Sequence, residues 1–297
     1  AQACWPALVC LPGVSETVSV MQLPKLLTIA GSDPSGGAGV QGDLKTFSAF
    51  GGYGMAVITA LTAQNTQGVT GVWPVAPEIV AAQIASVIDD LRPDAIKIGM
   101  VATAGNARVI AQTIGRGPQT IVLDPVLVPT QGVSLAEARL EAALTSDLLP
   151  LASLVTPNLF EAAALTATKI ATTPQEMATQ GQALIAAGAR AVLVKGGDLA
   201  GAPVDVLVAA GETRLFHGRR IMTRHSHGTG CALSAAITAE LAKGAPLIDA
   251  IATAKSWLEN ALEAADALAA ALGVSAGRGP PHHFFSLWDG SAPQDLL

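Results

Sequence analysis

Residues 223–243 read TRHSHGTGCALSAAITAELAK and join a glycine-punctuated turn directly to a long alanine-rich helical pattern. Gly228 and Gly230 carry no Cβ, so the backbone between them can turn tightly and direct consecutive N–H groups at one point. From Cys231 onward, apolar residues recur at helical spacing, which predicts a helix. A glycine turn leading into a helix N-terminus attracts anions, because unpaired N–H groups and the helix dipole both favour negative charge there. This stretch therefore predicts a phosphate site.

Cys231 stands at the predicted start of that helix. A thiol in this position is expected to have a pKa below that of a free cysteine, at about 3.5–7.5, and could serve as a base or a nucleophile. The structural alternative is a small buried residue in a helix cap, since free cysteines are among the most buried residues. Short glycine motifs also occur without any ligand, so the motif alone leaves both interpretations open.

The composition is that of a large α/β protein with a substantial core. Half of the 297 residues are hydrophobic but only 4% are aromatic, which suits close packing of helices on a sheet. No run of about 18 uninterrupted apolar residues indicates a membrane span, so we expect a soluble protein. The net charge of −6 argues against a broad surface for nucleic acid or anionic membrane. A phosphate would have to be held locally, by backbone groups and a few cations.

The three cysteines, Cys4, Cys10 and Cys231, form neither a metal-binding spacing nor an even disulfide framework. This usage indicates a reducing compartment and predicts a cytoplasmic protein. The first 20 residues lack the basic region of a secretory signal. Because the first clear strand begins shortly after Met21, we expect Met21 to be the natural start. Residues 1–20 would then be an extension outside the fold, and residues 21–297 would form a single domain.

Short apolar runs alternate with helical patterns along most of the chain. This alternation predicts right-handed βαβ units and a doubly wound, mainly parallel sheet. Residues 203–223 differ, because two short runs flank a four-residue turn there and indicate an antiparallel hairpin at the edge of the sheet. The predicted strands are 26–30, 56–62, 95–100, 120–126, a run from Leu154, 191–197, and the hairpin strands 204–208 and 213–216. The predicted helices include 78–91, 104–115, 135–146 and 174–188.

Polar residues collect at the ends of these strands and the starts of the helices that follow. Ligands bind at the carboxyl edge of open parallel sheets, so these side chains are expected to form one site. Gln64 offers a donor and an acceptor to a heterocycle, although loop amides more often face solvent. Acids suit Mg²⁺ and a lysine suits phosphate charge, which are the components that phosphoryl transfer needs. The residues concerned are Asp43, Gln64, Asp124, Asn158, Glu161, Lys195 and Cys231.

Longer segments make the prediction more specific. They are LLTIAGSDPSGGAGVQGDLKTFSAFGGYG, VITALTAQNTQGV, IKIGM, VLDPVLV, TPNLFEA, VLVKGGD, HGTGCALSAAI and GPPHHF, within residues 24–288. Together they resemble the bacterial hydroxymethylpyrimidine and phosphomethylpyrimidine kinases of thiamine biosynthesis, in the ribokinase-like superfamily. The resemblance implies a three-layer α/β/α sandwich, usually dimeric. It also implies an enzyme that uses MgATP to phosphorylate 4-amino-5-hydroxymethyl-2-methylpyrimidine and then its monophosphate.

The resemblance also implies a role for each matching position. Gln64 would recognise the pyrimidine, and Thr223 would lie beside the nucleotide. The other implied substrate positions are Gly31, Asp43, Met100 and Val126. Asp124 and Glu161 would lie near Mg²⁺, Asn158 and Lys195 would contact phosphates, and Gly228, Thr229, Gly230 and Cys231 would form the anion hole and its base.

The chain departs from the family pattern at several positions without losing a core catalytic group. Residues 128–132 lack the lysine that is usual in the flap over the site, so the role of that lysine is in doubt here. The other departures are Phe160, Asp198 and the pair His225 and Ser226. His225 and His227 lie in a polar loop, where we expect solvated rather than metal-binding imidazoles. His282 and His283 are expected to pack in the fold or at a dimer edge.

Three alternative functions stay open at this point. One is a pyridoxine-type vitamin kinase, since pyridoxine is another flat heterocycle with a primary hydroxymethyl group. Another is a cysteine-dependent hydrolase or acyltransferase that pairs Cys231 with a histidine. The last is a non-catalytic sensor of a nucleotide or a pyrimidine.

Overall fold

An eight-stranded sheet forms the centre of the computed structural model, which describes residues 23–115, 119–127 and 139–288. The strand order within the described residues is β10-β9-β8-β7-β6-β5-β1-β2. Neighbouring strands from β2 to β8 run parallel, whereas β9 and β10 form the predicted antiparallel hairpin at one edge. The strands are β1 Lys25–Ala30, β2 Tyr53–Ile58, β5 Ala95–Ile98, β6 Thr120–Leu123, β7 Leu154–Val155, β8 Ala191–Val194, β9 Val204–Ala209 and β10 Glu212–His217.

Helices cover both faces of this sheet, so the predicted three-layer sandwich is confirmed. One layer contains α2 Pro77–Asp90, α3 Ala104–Ile114, α4 Leu140–Ala143, α5 Leu159–Thr166 and α6 Pro174–Ala186. The other contains α1 Gly39–Ala49, α7 Thr229–Ala242 and α8 Leu247–Glu263, followed by α9 Ala265–Ala271. After α4 the chain continues through a π-helical turn, Leu144–Leu148, and a 3-10 turn, Leu149–Leu151. None of the described helices is both long enough and apolar enough to cross a membrane.

The strands are buried on both faces because their alternate residues feed two separate hydrophobic clusters. Leu27 and Ile29 of β1 pack into the cluster beneath α2, α3 and α6. Leu26, the neighbour of Leu27 in β1, points the other way and packs with Phe47 of α1. This double burial explains why the strands read as continuous apolar runs rather than as alternating ones.

Helix α7 is the most enclosed helix of its layer, because residues 232–239 are all buried. It begins at Thr229, two residues before the predicted start at Cys231. Gly228 caps it with φ +82°, a left-handed conformation that glycine adopts without strain. A Cβ at Gly228 would lie 2.0 Å from the carbonyl oxygen of Gly37, so the turn also requires glycine for space.

The predicted strand 56–62 is wrong as a single element. The chain leaves the large sheet after Ile58 and forms a separate antiparallel pair, β3 Ala60–Asn65 and β4 Gly68–Pro74. Thr59 marks the break, because its buried hydroxyl donates to the Met100 carbonyl at 2.5 Å and its N–H donates to Ala30 at 3.0 Å. Gln64 therefore lies on a strand over the site and not in a loop.

Several predictions about segments concern residues outside the described ranges. Residues 1–20 and Met21 lie outside them, and so does the flap segment 128–132. The predicted helix 135–146 is described only from Arg139, where α4 and the π-helical turn follow.

A buried ion pair joins the middle of the sheet to α1. Lys97 of β5 donates to both carboxylate oxygens of Asp43, at 2.7 and 2.8 Å, and neither side chain has any exposed surface. Thr28 adds a third hydrogen bond to the same carboxylate, at 2.6 Å. Burial acts to lower the pKa of Lys97, but the adjacent carboxylate of Asp43 outweighs it, so the pKa is raised and the lysine stays charged.

Removing one member of this ion pair should destabilise the protein more than removing both members. Lys97→Met leaves the Asp43 carboxylate buried and unpaired, and we expect a loss of about 3–5 kcal/mol in the free energy of unfolding. The double variant Lys97→Met/Asp43→Leu should recover most of that loss, because no buried charge is left without a partner. Lys243→Met, which removes an exposed i,i+3 pair with Glu240, should cost only about 1 kcal/mol or less. Urea denaturation measures all three, and a double variant that is no more stable than Lys97→Met would contradict the pairing.

Candidate active site

A cavity of about 460 Å³ opens at the carboxyl edge of the sheet, where the loops after β1, β5, β6 and β8 meet the turn before α7. Its size is typical of a small-molecule site. Nearly all the residues predicted for the site line it, and therefore come together as expected. They are Gly31, Gln64, Met100, Asp124, Val126, Asn158, Glu161, Lys195, Thr223, Gly228, Thr229, Gly230 and Cys231.

Asp43 is the exception among the predicted site residues. It lies behind the cavity wall, fully buried, and its carboxylate is occupied by Lys97 and Thr28. Lys97 is the member of the pair that lines the cavity, and sequence reasoning missed it. A signal was available, because a lysine within the buried strand 95–98 needs an acid partner.

At one end of the cavity, Lys195 and Asp124 face the glycine turn that begins α7. Their side chains form an ion pair, with Nζ of Lys195 2.7 Å from Oδ1 of Asp124. A Cβ at Gly230 would lie 3.2 Å from Nζ of Lys195 and 4.0 Å from Oδ2 of Asp124. The helix N-terminus, the lysine and the acid therefore converge on one small volume, which suits a phosphoryl group.

The two acids at this end differ in their surroundings. Asp124 also accepts from Thr156 at 3.1 Å and from Ser234 at 3.2 Å. Burial acts to raise the pKa of Asp124, but Lys195 and Lys97 outweigh it and hold the pKa below its usual value. For Glu161, burial raises the pKa to about 7, and the neighbouring Asp124 adds to this effect while Lys195 opposes it. Burial therefore disfavours the ionised form of Glu161, whereas the two lysines keep Asp124 ionised.

Glu161 and Asn158 also begin helix α5. The N–H of Asn158 donates to Oε2 of Glu161 at 2.7 Å, and the N–H of Glu161 donates to Oδ1 of Asn158 at 2.9 Å. This reciprocal capping box fixes both side chains at the cavity wall. Asn158 is thus held by the helix start that follows β7, and its contact with a phosphate stays a prediction.

The acids fit a magnesium ion of the kind that binds with a nucleotide. Asp124 and Glu161 both line the cavity, and within the described residues no cluster of three or more candidate ligands exists that could hold a metal ion alone. Mg²⁺ commonly binds through one or two carboxylates, with water and substrate phosphates as the other ligands. A cation bound there would favour the ionised form of Glu161, which burial disfavours in the free protein.

Another part of the cavity lining combines apolar groups with an amide. A Cβ at Gly31 would lie 2.2 Å from the terminal methyl of Met100, so the methionine packs directly against the glycine backbone. Val126 lines the same cavity. Gln64 approaches His227, with its Nε2 3.1 Å from Nε2 of the imidazole. A flat heterocycle could lie against the apolar wall and present its edge to the amide.

The histidines of the turn are not solvated, which corrects the sequence interpretation. His227 lies 2.8 Å from Oδ2 of Asp33, a residue that sequence reasoning did not select. His225 is buried and its Nδ1 accepts from the N–H of Gly279 at 2.9 Å. The segment that contains Gly279 therefore covers the loop that contains His225 and His227. His283 is packed as predicted, beside Trp257.

Thr223 also lines the cavity, as do Arg219, Arg220 and Lys255. Its hydroxyl donates to Asp266 and accepts from the N–H of His225 at 3.0 Å. These contacts fix the threonine beside a group of cations. A contact with a nucleotide stays a prediction.

Cys231 does not have the lowered pKa that the sequence indicated. Burial raises the pKa of the thiol to about 11, and the carboxylates of Asp43 and Asp124 add to this effect, while Lys97 opposes it. A hydrogen bond from the N–H of Gly39 to the sulfur is too weak to reverse the shift. In the free protein the side chain is therefore a thiol at neutral pH.

The family model for phosphomethylpyrimidine kinase matches residues 33–282, which is most of the chain. The chain belongs to the phosphomethylpyrimidine kinase family. It is 53% identical over 264 residues to the hydroxymethylpyrimidine/phosphomethylpyrimidine kinase of Rhizobium meliloti, covering 88% of this chain and 97% of that protein. The enzyme of the same name from Escherichia coli is 49% identical, over 88% of this chain and 98% of its own.

Solved structures agree with this membership. A phosphomethylpyrimidine kinase from Clostridium difficile superposes with a TM-score of 0.71 at 39% identity, covering 79% of this chain and 97% of that one. A pyridoxal kinase from Bacillus subtilis, solved as an ADP complex, gives a TM-score of 0.75 at 38% identity over 81% and 92% of the two chains. The phosphomethylpyrimidine kinase family consists of phosphotransferases, so the hydrolase alternative loses its support.

The raised pKa of Cys231 can be checked by alkylation. In a Cys4→Ala/Cys10→Ala background, the rate with iodoacetamide should rise about tenfold for each pH unit, with no plateau before the pKa of about 11. N-acetylcysteine, as a free thiol, should level off near its pKa of about 8.5. A plateau for Cys231 below that of the free thiol would show that the helix N-terminus dominates after all.

Proposed function

We propose that this protein is an ATP-dependent kinase that phosphorylates 4-amino-5-hydroxymethyl-2-methylpyrimidine and then its monophosphate, in thiamine biosynthesis. One observation carries the proposal: a single cavity is lined both by the Gln64 amide and by the helix N-terminus with Lys195 and Asp124. A ring held at Gln64 would therefore share one cavity with the phosphoryl site. The names of the relatives support the substrate, and the ADP complex of the Bacillus subtilis pyridoxal kinase supports ATP as co-substrate.

In this proposal the chain acts mainly by positioning and by electrostatics, which is what a loose phosphoryl-transfer transition state requires. The N–H groups from Gly228 to Cys231 would stabilise the transferring phosphoryl group. For Lys195, burial acts to lower the pKa, but Asp124 and Glu161 outweigh it and raise the pKa, so the lysine stays positively charged. Asn158 and Thr223 would contact the nucleotide.

Asp124 and Glu161 would hold Mg²⁺, which when bound supplies positive charge to the phosphate oxygens. Gly31, Met100 and Val126 would form the wall against which the pyrimidine lies. Asp43 would not contact the substrate itself, and would affect the pocket only by holding Lys97 in the cavity wall. We further propose a cytoplasmic homodimer in which residues 21–297 form one kinase domain and residues 1–20 lie outside it.

A pyridoxine-type kinase is the second candidate, favoured by the 38% identity to the Bacillus subtilis pyridoxal kinase. Both substrates are flat heterocycles with a hydroxymethyl group. They differ in the ring edge that would face Gln64, so the substrate preference decides between the two candidates.

A coupled ATPase assay tests the proposal. We expect turnover with the hydroxymethylpyrimidine and with its monophosphate, no turnover after removal of Mg²⁺ by EDTA, and recovery when Mg²⁺ is added back. Pyridoxine and pyridoxal serve as competing substrates under the same conditions. A higher kcat/KM for pyridoxal than for the hydroxymethylpyrimidine would favour the second candidate, and ATP binding without turnover of any of them would favour a sensor.

The role of Cys231 can be separated from that of the anion hole. The first step removes a proton from an alcohol, whereas the second uses a phosphate oxygen that already carries charge. Cys231 can accept that proton only as a thiolate, whereas in the free protein it is a thiol. If bound substrates lower its pKa so that it acts as the base, Cys231→Ala should slow the alcohol step by about 10²–10⁴ and the monophosphate step much less. Cys231→Ser keeps the size of the side chain and should behave like the alanine variant. Single-turnover kinetics measures both steps, and equal losses would assign Cys231 to the geometry of the turn.

A further inference from the structure

Asp33 is a buried carboxylate, and its other hydrogen bonds require it to act as the acceptor in its contact with His227. Its Oδ1 accepts from the N–H and the hydroxyl of Ser35, at 2.9 and 2.7 Å, and its Oδ2 accepts from the N–H of Ala38 at 2.8 Å. Burial acts to raise the pKa of Asp33, but the hydrogen bonds from His227 and Ser35 outweigh it and lower the pKa. The ionised carboxylate has no proton to give, so Nε2 of His227, 2.8 Å away, must donate.

This donation restricts the amide of Gln64, which contacts the same imidazole nitrogen. The amide nitrogen is placed 3.1 Å from Nε2 of His227. A nitrogen that carries its proton for Asp33 cannot accept one from an amide N–H. An amide oxygen at that position would instead be attracted to the imidazole N–H, which favours the opposite orientation of the side chain.

Thr62 leads to the same orientation independently. Its hydroxyl proton is donated to the Ser32 carbonyl at 2.7 Å, so the hydroxyl can only accept from Gln64. The amide oxygen is placed 3.3 Å from this hydroxyl, which sets one acceptor against another. Nitrogen and oxygen of a glutamine amide are assigned from their hydrogen-bond partners. When Nε2 of Gln64 faces Thr62, the hydroxyl receives a donor. Oε1 then faces the imidazole N–H, which is shared with Asp33, so that no two donors and no two acceptors are opposed.

We propose that Asp33, acting through His227, fixes the direction of the Gln64 amide and thereby the order of donor and acceptor that the cavity offers to a heterocycle. This inference rests on the proposed function, in which Gln64 meets the pyrimidine edge. Asp33 and His227 are positioning residues for that contact. Thr62 supports the same orientation from the other side of the amide.

The fixed direction makes the cavity selective for one ring edge. A 4-aminopyrimidine presents an amino donor beside a ring-nitrogen acceptor, so the amino group would pair with Oε1 and the ring nitrogen with Nε2. A 4-oxopyrimidine presents the reverse order and would meet acceptor with acceptor and donor with donor. Unpaired buried polar groups discriminate strongly between such substrates.

The kinetic test compares kcat/KM for the 4-amino substrate and its 4-oxo analogue. His227→Phe keeps a ring against Gly37 and Pro280 but cannot donate, so it frees the amide to turn. We expect the preference for the amino substrate to fall by about tenfold or more, mainly through KM of the amino substrate. Asp33→Asn should shift the preference in the same direction.

Two controls distinguish a change in the direction of the Gln64 amide from a general loosening of the loop that contains His227. Ser35→Ala removes one hydrogen bond to Asp33 without touching His227 or Gln64, and should leave the preference unchanged. In a Gln64→Ala background, where no amide remains to orient, His227→Phe should change the preference no further. An unchanged preference in His227→Phe while Gln64→Ala lowers it would overturn the proposal, and so would an additive effect in the double variant.

A readout without turnover keeps this inference distinct from the proposed function. Nitrogen-15 spectra of the imidazoles, with His227 assigned by difference from His227→Phe, should show the proton on Nε2 in the ligand-free protein. A proton on Nδ1 alone would refute the relay. If the wild type does not phosphorylate the aminopyrimidine, the proposed function fails, while the spectra still decide whether Asp33 holds the imidazole as inferred.

Discussion

The contact between Gly228 and Gly37 is the constraint on which the site depends. At this point the turn before α7 lies against the loop after β1, so closely that a Cβ at Gly228 would meet the Gly37 carbonyl oxygen at 2.0 Å. The contact brings Asp33 to His227 on one side and leaves the N-terminus of α7 open to the cavity on the other. The Asp33–His227 contact and the helix N-terminus are therefore positioned by one backbone approach that only glycine permits.

Electrostatics in the wall of the cavity depends on two lysine–carboxylate pairs. Lys97 pairs with Asp43 behind the wall, and Lys195 pairs with Asp124 at its surface. Buried charges are tolerated only when they are paired and hydrogen-bonded, so each lysine fixes the place of its acid. The charges of the buried pair act on the thiol of Cys231, whereas the second pair lies beside the glycine turn, where a phosphate would bind.

Much of the fold followed from local patterns. The alternation of apolar runs and helical segments predicted the parallel sheet, and the two runs around residues 209–212 predicted the antiparallel edge. Polar residues that follow the predicted parallel strands also predicted most of the cavity lining, because the carboxyl ends of such strands meet at one edge of the sheet. The split between β2 and β3 could not be predicted, since it depends on hydrogen bonds from Thr59 to Ala30 and Met100, which are distant in sequence.

The sequence by itself determined the glycine turn, the helix that follows it and the set of side chains available to the site, since these depend on local conformation and on strand order. Only the tertiary structure decided the state of those side chains. Cys231 begins a helix, but burial and two carboxylates raise its pKa to about 11. The sequence predicted Asp43 as a residue of the substrate pocket, but in the structure it pairs with Lys97 behind the cavity wall. Burial and charge pairing depend on residues that only the folded chain brings together, and they outweigh the local effect of a helix end.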